Sequence, residues 1–71
     1  MSELVKSPLP GKLIEYQVKR GDKVSRGDVV AIVESMKMYN EICADSDGTV
    51  TRLIAFPDSY VEANGNLLEL K

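Results

Sequence analysis

An offset of 37 residues, the separation of Gly11 and Gly48, lays the two halves of this 71-residue chain over one another. Val5 then meets Ile42, Leu13 meets Val50, Val24 meets Val61, Val30 meets Leu67 and Val33 meets Leu70. Gly27 falls on Asn64, and both residue types tolerate a left-handed backbone. Few residues are identical; what repeats is the order of apolar positions and turns. Each half reads as strand, turn, strand, short strand, strand. Two such units can bury their apolar faces against each other as a flattened barrel, and closure also protects the sheet edges. The length demands some such economy. A chain this short buries only about 60% of the surface that its unfolded form exposes, and small cores often lean on a disulfide or a metal. Cys43 is the sole cysteine and there is no histidine, so neither staple is to hand.

The strand candidates are residues 4–7, 12–18, 29–34, 38–43, 49–54 and 66–70, with two very short ones at 23–24 and 60–61. Turn signals at 8–11, 20–22, 26–28, 45–48, 57–59 and 63–65 separate them, each carrying Gly, Pro, Asn or Asp. These turns interrupt every stretch in which a helical pattern might run. An all-β fold is expected, as one domain over residues 1–71. Its core candidates are Val5, Leu13, Val24, Val30, Ile32, Val33, Ile42, Val50, Leu53, Val61, Leu67 and Leu70. Cys43 is expected to be a small buried hydrophobe, and Gly27 and Asn64 to sit in matching turns with positive φ.

Composition narrows the function. Net charge is −2 and the nine basic residues are scattered, whereas a nucleic-acid binder shows a basic stripe. No apolar run approaches the roughly 18–20 residues of a membrane span, so no direct membrane insertion is expected. Met1-Ser2-Glu3-Leu4 lacks the basic-then-apolar pattern of a signal peptide, which makes the expected location cytoplasmic, or an organellar matrix if a transit segment was removed. Without histidine the chain has no default general base near neutral pH, and no catalytic residue is assigned.

Between the halves an apolar strand, Val29-Val30-Ala31-Ile32-Val33, runs into Glu34-Ser35-Met36-Lys37-Met38, and a more polar strand runs out. The simplest geometry is a β-hairpin with Met36-Lys37 at its tip. That is unusual turn chemistry, because two-residue hairpin turns favour Asn-Gly or Gly-X. A local rule broken without structural gain often marks function. A lysine at a hairpin tip projects from the body of the domain and can enter another protein's active site. Its amine can form an amide with an activated carboxyl group and so carry a cofactor on a long arm. Methionines on either side are flexible and polarizable, suited to contact with several partners.

Met36-Lys37-Met38 within this segment resembles the attachment motif of the biotin carboxyl carrier domain family. Ser7-Pro8-Leu9-Pro10-Gly11, Arg20-Gly21-Asp22-Lys23-Val24, Asn40-Glu41-Ile42 and Gly48-Thr49-Val50 are similar to further stretches of that family, so the resemblance runs from Val5 to Leu70. It implies a biotinyl/lipoyl hammerhead: two four-stranded antiparallel sheets with pseudo-twofold symmetry. It implies biotin covalently bound to Lys37, with Met36 and Met38 beside it, and recognition by a ligase or partner through Glu34 and Ser35. The implied partners are a biotin protein ligase using ATP, a biotin carboxylase, and a carboxyltransferase or decarboxylase; the chain itself is then a non-catalytic carrier. Related lipoyl domains of 2-oxo acid dehydrogenase complexes share the fold but usually place Asp before the modified lysine, where this chain has Met36. Ser35, Tyr39 and the turn Pro57-Asp58-Ser59 depart from the family's common residues, and that turn is expected to be built differently from its counterpart in the first half. The extra thumb segment of some bacterial acetyl-CoA carboxylase carriers has no room between Val5 and Ile32.

Two other readings are weaker. Arg20-Gly21-Asp22 and Arg26-Gly27-Asp28 have the form of a cell-adhesion tripeptide, but both sit where ordinary turns are expected. A small RNA-binding barrel would need stacking platforms in a basic groove. Tyr16, Tyr39, Phe56 and Tyr60 are the only aromatics, and the charge is negative.

Overall fold

The computed structural model describes residues 2–71, and all of their regular structure is β. The strands are β1 (Glu3–Lys6), β2 (Gly11–Tyr16), β3 (Lys23–Val24), β4 (Val29–Ser35), β5 (Met38–Cys43), β6 (Gly48–Leu53), β7 (Tyr60–Val61) and β8 (Asn66–Leu70). They form two four-stranded sheets, ordered β1-β8-β6-β3 and β5-β4-β2-β7. Every pairing is antiparallel. Advancing each strand of the first half by one repeat converts one sheet order into the other. The halves are therefore interleaved: each sheet takes two strands from the first half and two from the second.

The repeat reaches down to single hydrogen bonds. Gln17 N donates to Val30 O at 2.8 Å, and Ile54 N, one repeat on, donates to Leu67 O at 2.7 Å. Gly27 N donates to Ala44 O at 2.8 Å, and Asn64 N to Ser7 O at 2.7 Å. Gly27 and Asn64 both have positive φ, at 93° and 67°, as expected for matching turns. The turn at Pro57-Asp58-Ser59 corrects the expectation of a different construction. Asp58 has φ 70° where its counterpart Gly21 has 95°. Asp58 N donates to Leu13 O and Gly21 N to Val50 O, both at 2.7 Å.

Apolar side chains from both sheets meet in one core. Val5, Leu13, Val24, Val30, Val33, Ile42, Val50, Val61, Leu67 and Leu70 are buried in it, as their alternation predicts. Ala31, Ala44 and Leu68 join them, and Ser7 is buried too, its hydroxyl donating to Leu9 O at 2.6 Å. Ile32 and Leu53 do not belong to it. Ile32 lies between buried Ala31 and Val33 and so points to the opposite face, half-buried, while Leu53 is exposed. Cys43 is likewise exposed rather than buried. Ile42 takes the inward position on β5, and its neighbour must face out. Neighbouring Val30 and Ala31 are both buried because the β4–β5 register shifts between Val29 and Ala31.

Tyr16 spans the two sheets. Its phenol oxygen lies 2.7 Å from both Ala55 O and Leu67 O, where one hydroxyl proton serves two carbonyls.

Candidate functional site

β4 and β5 pair in continuous register to their ends, with Val33 opposite Asn40, Glu34 opposite Tyr39 and Ser35 opposite Met38. Only Met36 and Lys37 remain to close the hairpin. Both take left-handed backbone, at φ 54° and 63°. Positive φ at both central residues is what a type I′ turn requires, because its twist matches that of the strands it joins. Neither residue is Gly, Asn or Asp, so each position costs about 1–2 kcal/mol relative to a residue at ease there. The rest of the hairpin absorbs that cost. Asn40 Nδ2 donates to Val33 O and to Met38 O, each at 3.2 Å, bracing the strand ends from within. Gly11 allows β2 to close up beneath β4: a Cβ there would stand 2.2 Å from Glu34 O.

This frame fixes the side chains singled out in the sequence. Lys37 is exposed at the apex, and Met36 and Met38 are 92% and 65% exposed. Both methionines thus lie outside the core. Glu34 and Ser35, the last residues of β4, are half-buried at the neck of the turn. The sequence motif thus comes together as one projection, with Lys37 foremost. Asn40 and Gly11 were visible only as motif positions; their bracing roles depend on contacts across strands that spacing along the chain does not reveal.

The apex is also remote from the N-terminal strand. The Ser46 hydroxyl, just beyond the base of β5, donates to the Glu3 carboxylate. The six residues of β5 separate that contact from the turn by roughly 20 Å. This uses much of the 33 Å long axis of a body only 19 × 18 Å across.

The arrangement offers an exposed primary amine at the tip of a paired strand hairpin. No group of three or more potential metal-ligating side chains converges among the described residues. Such a site suits covalent loading by another enzyme and presentation of what is loaded. Fold and site together define a small two-sheet β-body that holds out one lysine, the form that an attachment domain takes.

The chain belongs to the biotin-requiring enzyme family, whose model matches residues 3–70. It is 44% identical over 50 residues to the methylmalonyl-CoA decarboxylase gamma subunit of Veillonella parvula, a match covering 70% of this chain and 39% of that one. It is 50% identical over 50 residues to the chloroplastic biotin carboxyl carrier protein of acetyl-CoA carboxylase from Glycine max, covering 70% of this chain and 18% of that one. Among solved structures, the urea carboxylase of Kluyveromyces lactis superposes on all of this chain with a TM-score of 0.93 at 28% identity, over 6% of its own length. The chain therefore spans well under half the length of these relatives.

Proposed function

We propose that this chain is a biotin carboxyl carrier, with biotin held in amide linkage on Lys37 Nζ. The observation that carries the reading is the exposed lysine at the apex of a strained, braced turn in a member of the biotin-requiring family. The cofactor supplies a ureido nitrogen that accepts a carboxyl group and gives it up again. This chain's residues do the rest. β4 and β5 set the direction in which the arm leaves. Gly11 and Asn40 hold that direction, and the exposed methionines leave the apex adaptable. No residue of the chain is assigned a catalytic step. The partners are a biotin protein ligase, which loads Lys37, a biotin carboxylase, and a carboxyltransferase or decarboxylase. Glu34 and Ser35, at the neck of the turn, are the proposed points of recognition. The decarboxylase and carboxylase relatives support partners of that class. The lipoyl alternative is less supported, since the decarboxylase, carrier-protein and urea carboxylase relatives all point to carboxyl transfer.

Placement must single out this lysine from Lys6, Lys12, Lys19, Lys23 and Lys71. Incubation with biotin protein ligase, ATP and biotin, followed by intact and peptide mass measurement, tests this. One biotinyl group on Lys37, and none in Lys37→Arg, is expected. The exchange Met36→Lys with Lys37→Met keeps composition but moves the amine one place round the turn, and it should be poorly modified. Lipoyl on Lys37 in cells, or biotin on another lysine, would overturn the reading.

A further inference from the structure

Along the chain, Met36-Lys37 alone connects two halves that share one core. Of the six strand pairings, four join the halves: β1–β8, β2–β7, β3–β6 and β4–β5. The core draws on both halves as well. Leu13, Val30 and Val33 come from the first, and Val50, Leu67 and Leu70 from the second. Neither half encloses an apolar interior of its own. Each needs the other, but nothing in the pairing requires both to belong to one chain.

The connection is also strained. Met36 and Lys37 hold left-handed φ, at 54° and 63°. Nowhere else among the described residues do two successive non-glycine residues do so. The turn stands clear of the core, with Met36 exposed and Lys37 exposed beside it. A short, strained link between complementary halves is the setting in which two copies of a chain exchange those halves.

We infer that this chain exchanges halves with a second copy of itself by opening the Met36-Lys37 turn, and that the exchanged pair no longer presents Lys37. In that pair, residues 3–35 of one copy pack with residues 38–70 of the other. Each of the two lobes keeps the strand order and the core of the single chain. Asn40 Nδ2 still meets Val33 O, now between copies. Only the turn changes. Met36 and Lys37 run extended from one lobe to the next, where the three steps from Ser35 to Met38 can span about 10 Å. The left-handed strain is released at both residues in each copy. The loss of one free chain opposes exchange, and concentration offsets that loss. A partner of another kind would have to supply the missing strands in the same register, so the second copy is the occupant. The consequence for Lys37 rests on the carrier reading: the two-residue turn that makes the apex is gone, and the amine lies in a bridge between lobes.

Two altered chains test the exchange. Val30→Asp spoils the first half's share of the core and Leu67→Asp the second half's, since both side chains are fully buried. Neither chain alone should show a cooperative melt by circular dichroism. Mixed in denaturant and refolded together, they should give a dimer with one intact lobe, which takes Val30 from one chain and Leu67 from the other. Association without exchange cannot rescue either chain, so absence of recovery would overturn the proposal. The unaltered chain refolded at millimolar concentration should contain dimer by light scattering, and an all-monomer product would also overturn it. Met36→Asn, which is at ease in this turn, should lower the dimer's share at least about tenfold. An unchanged share would overturn the turn as hinge. Incubated with ligase, ATP and biotin, the unaltered dimer should load Lys37 at least about tenfold more slowly than the monomer, because the amine is misplaced. Equal rates would overturn the withdrawal of Lys37. Failure of the monomer itself to load would instead overturn the carrier reading and leave the exchange standing.

Discussion

Gly21 and Asp58 occupy the same turn in the two halves, and aspartate there adopts the left-handed backbone of glycine, φ 70° against 95°. The repeat fixes the conformation, and the side chain complies. The Asp58 carboxylate reaches Lys12 at 3.8 Å, but both side chains are well exposed, so this ion pair contributes little.

Asp58→Gly should therefore stabilise the domain by roughly 0.5–1 kcal/mol through relief of backbone strain. Gly27→Val should cost about 1–2 kcal/mol, although nothing lies within 4 Å of the added Cβ, because φ 93° is itself the obstacle. Thermal melts followed by circular dichroism measure both. A lower melting temperature for Asp58→Gly would show that the Lys12 contact outweighs the strain.

Leu67 is fully buried, and its carbonyl accepts from Ile54 N at 2.7 Å. Leu67→Ala removes side-chain methyls but leaves that bond, so its effect isolates packing. A loss of about 3 kcal/mol is expected in urea unfolding. A loss below about 1 kcal/mol would mean that the core relaxes into the space.

Gly11→Ala should be more damaging than its size suggests. The new methyl would stand 2.2 Å from Glu34 O and 2.9 Å from Val33 Cγ1, so β2 and β4 must part. A cost of at least about 2 kcal/mol is expected. Because β4 carries the turn, biotin loading should slow as well. Normal loading in a destabilised variant would separate the role of Gly11 in the sheet from any role at the apex.

Two groups contribute opposite pH dependences. Burial raises the pKa of the Tyr16 phenol above its ordinary value of about 10. Its stabilisation is complete below the unfolded pKa and is lost as pH rises through the folded one. At the acid end, the Thr51 hydroxyl, 2.7 Å from Glu69 Oε1, leads the causes that lower the Glu69 pKa. That contribution is present above the unfolded carboxylate pKa and is lost as pH falls through the folded one. Tyr16→Phe should cost about 1 kcal/mol at pH 7 from the lost hydrogen bond. It should also flatten the fall in melting temperature above pH 10. An unchanged alkaline limb would show that Tyr16 is not the group titrating there.

Much of this was legible in the chain. The strands and turns could be read because Gly, Pro, Asn and Asp punctuate each apolar run, and the repeat because paired positions such as Val30 and Leu67 are both large. What was not legible follows from two physical causes. Alternation assumes a regular pleat, and the register shifts at Val29/Ala31, Val5/Lys6 and Val50/Arg52 defeat it, so Ala31 and Leu68 were missed and Ile32 and Leu53 misplaced. Small or polar residues carry no hydrophobic signal, so buried Ser7 and Ala44 went unseen although they are themselves repeat mates. At the apex, Met36-Lys37 betrayed itself by being the wrong chemistry for its turn. The bracing by Asn40 and the close approach at Gly11 needed the third dimension.

The placement of β8 bears on the timing of modification. β8 pairs with β1 on one side and β6 on the other, so the last of the eight strands lies inside its sheet. While residues 66–70 have yet to leave the ribosome, β1 and β6 lack the strand that joins them. At that stage the first sheet is split and the shared core lacks Leu67, Leu68 and Leu70. Under the carrier reading, a ligase that recognises the hairpin as the folded domain presents it loads Lys37 only after residues 66–70 have joined the sheet. A chain ending at Gly65 should therefore take up no biotin on Lys37, whereas the chain through Lys71 should; equal loading of the two would show that the hairpin alone suffices.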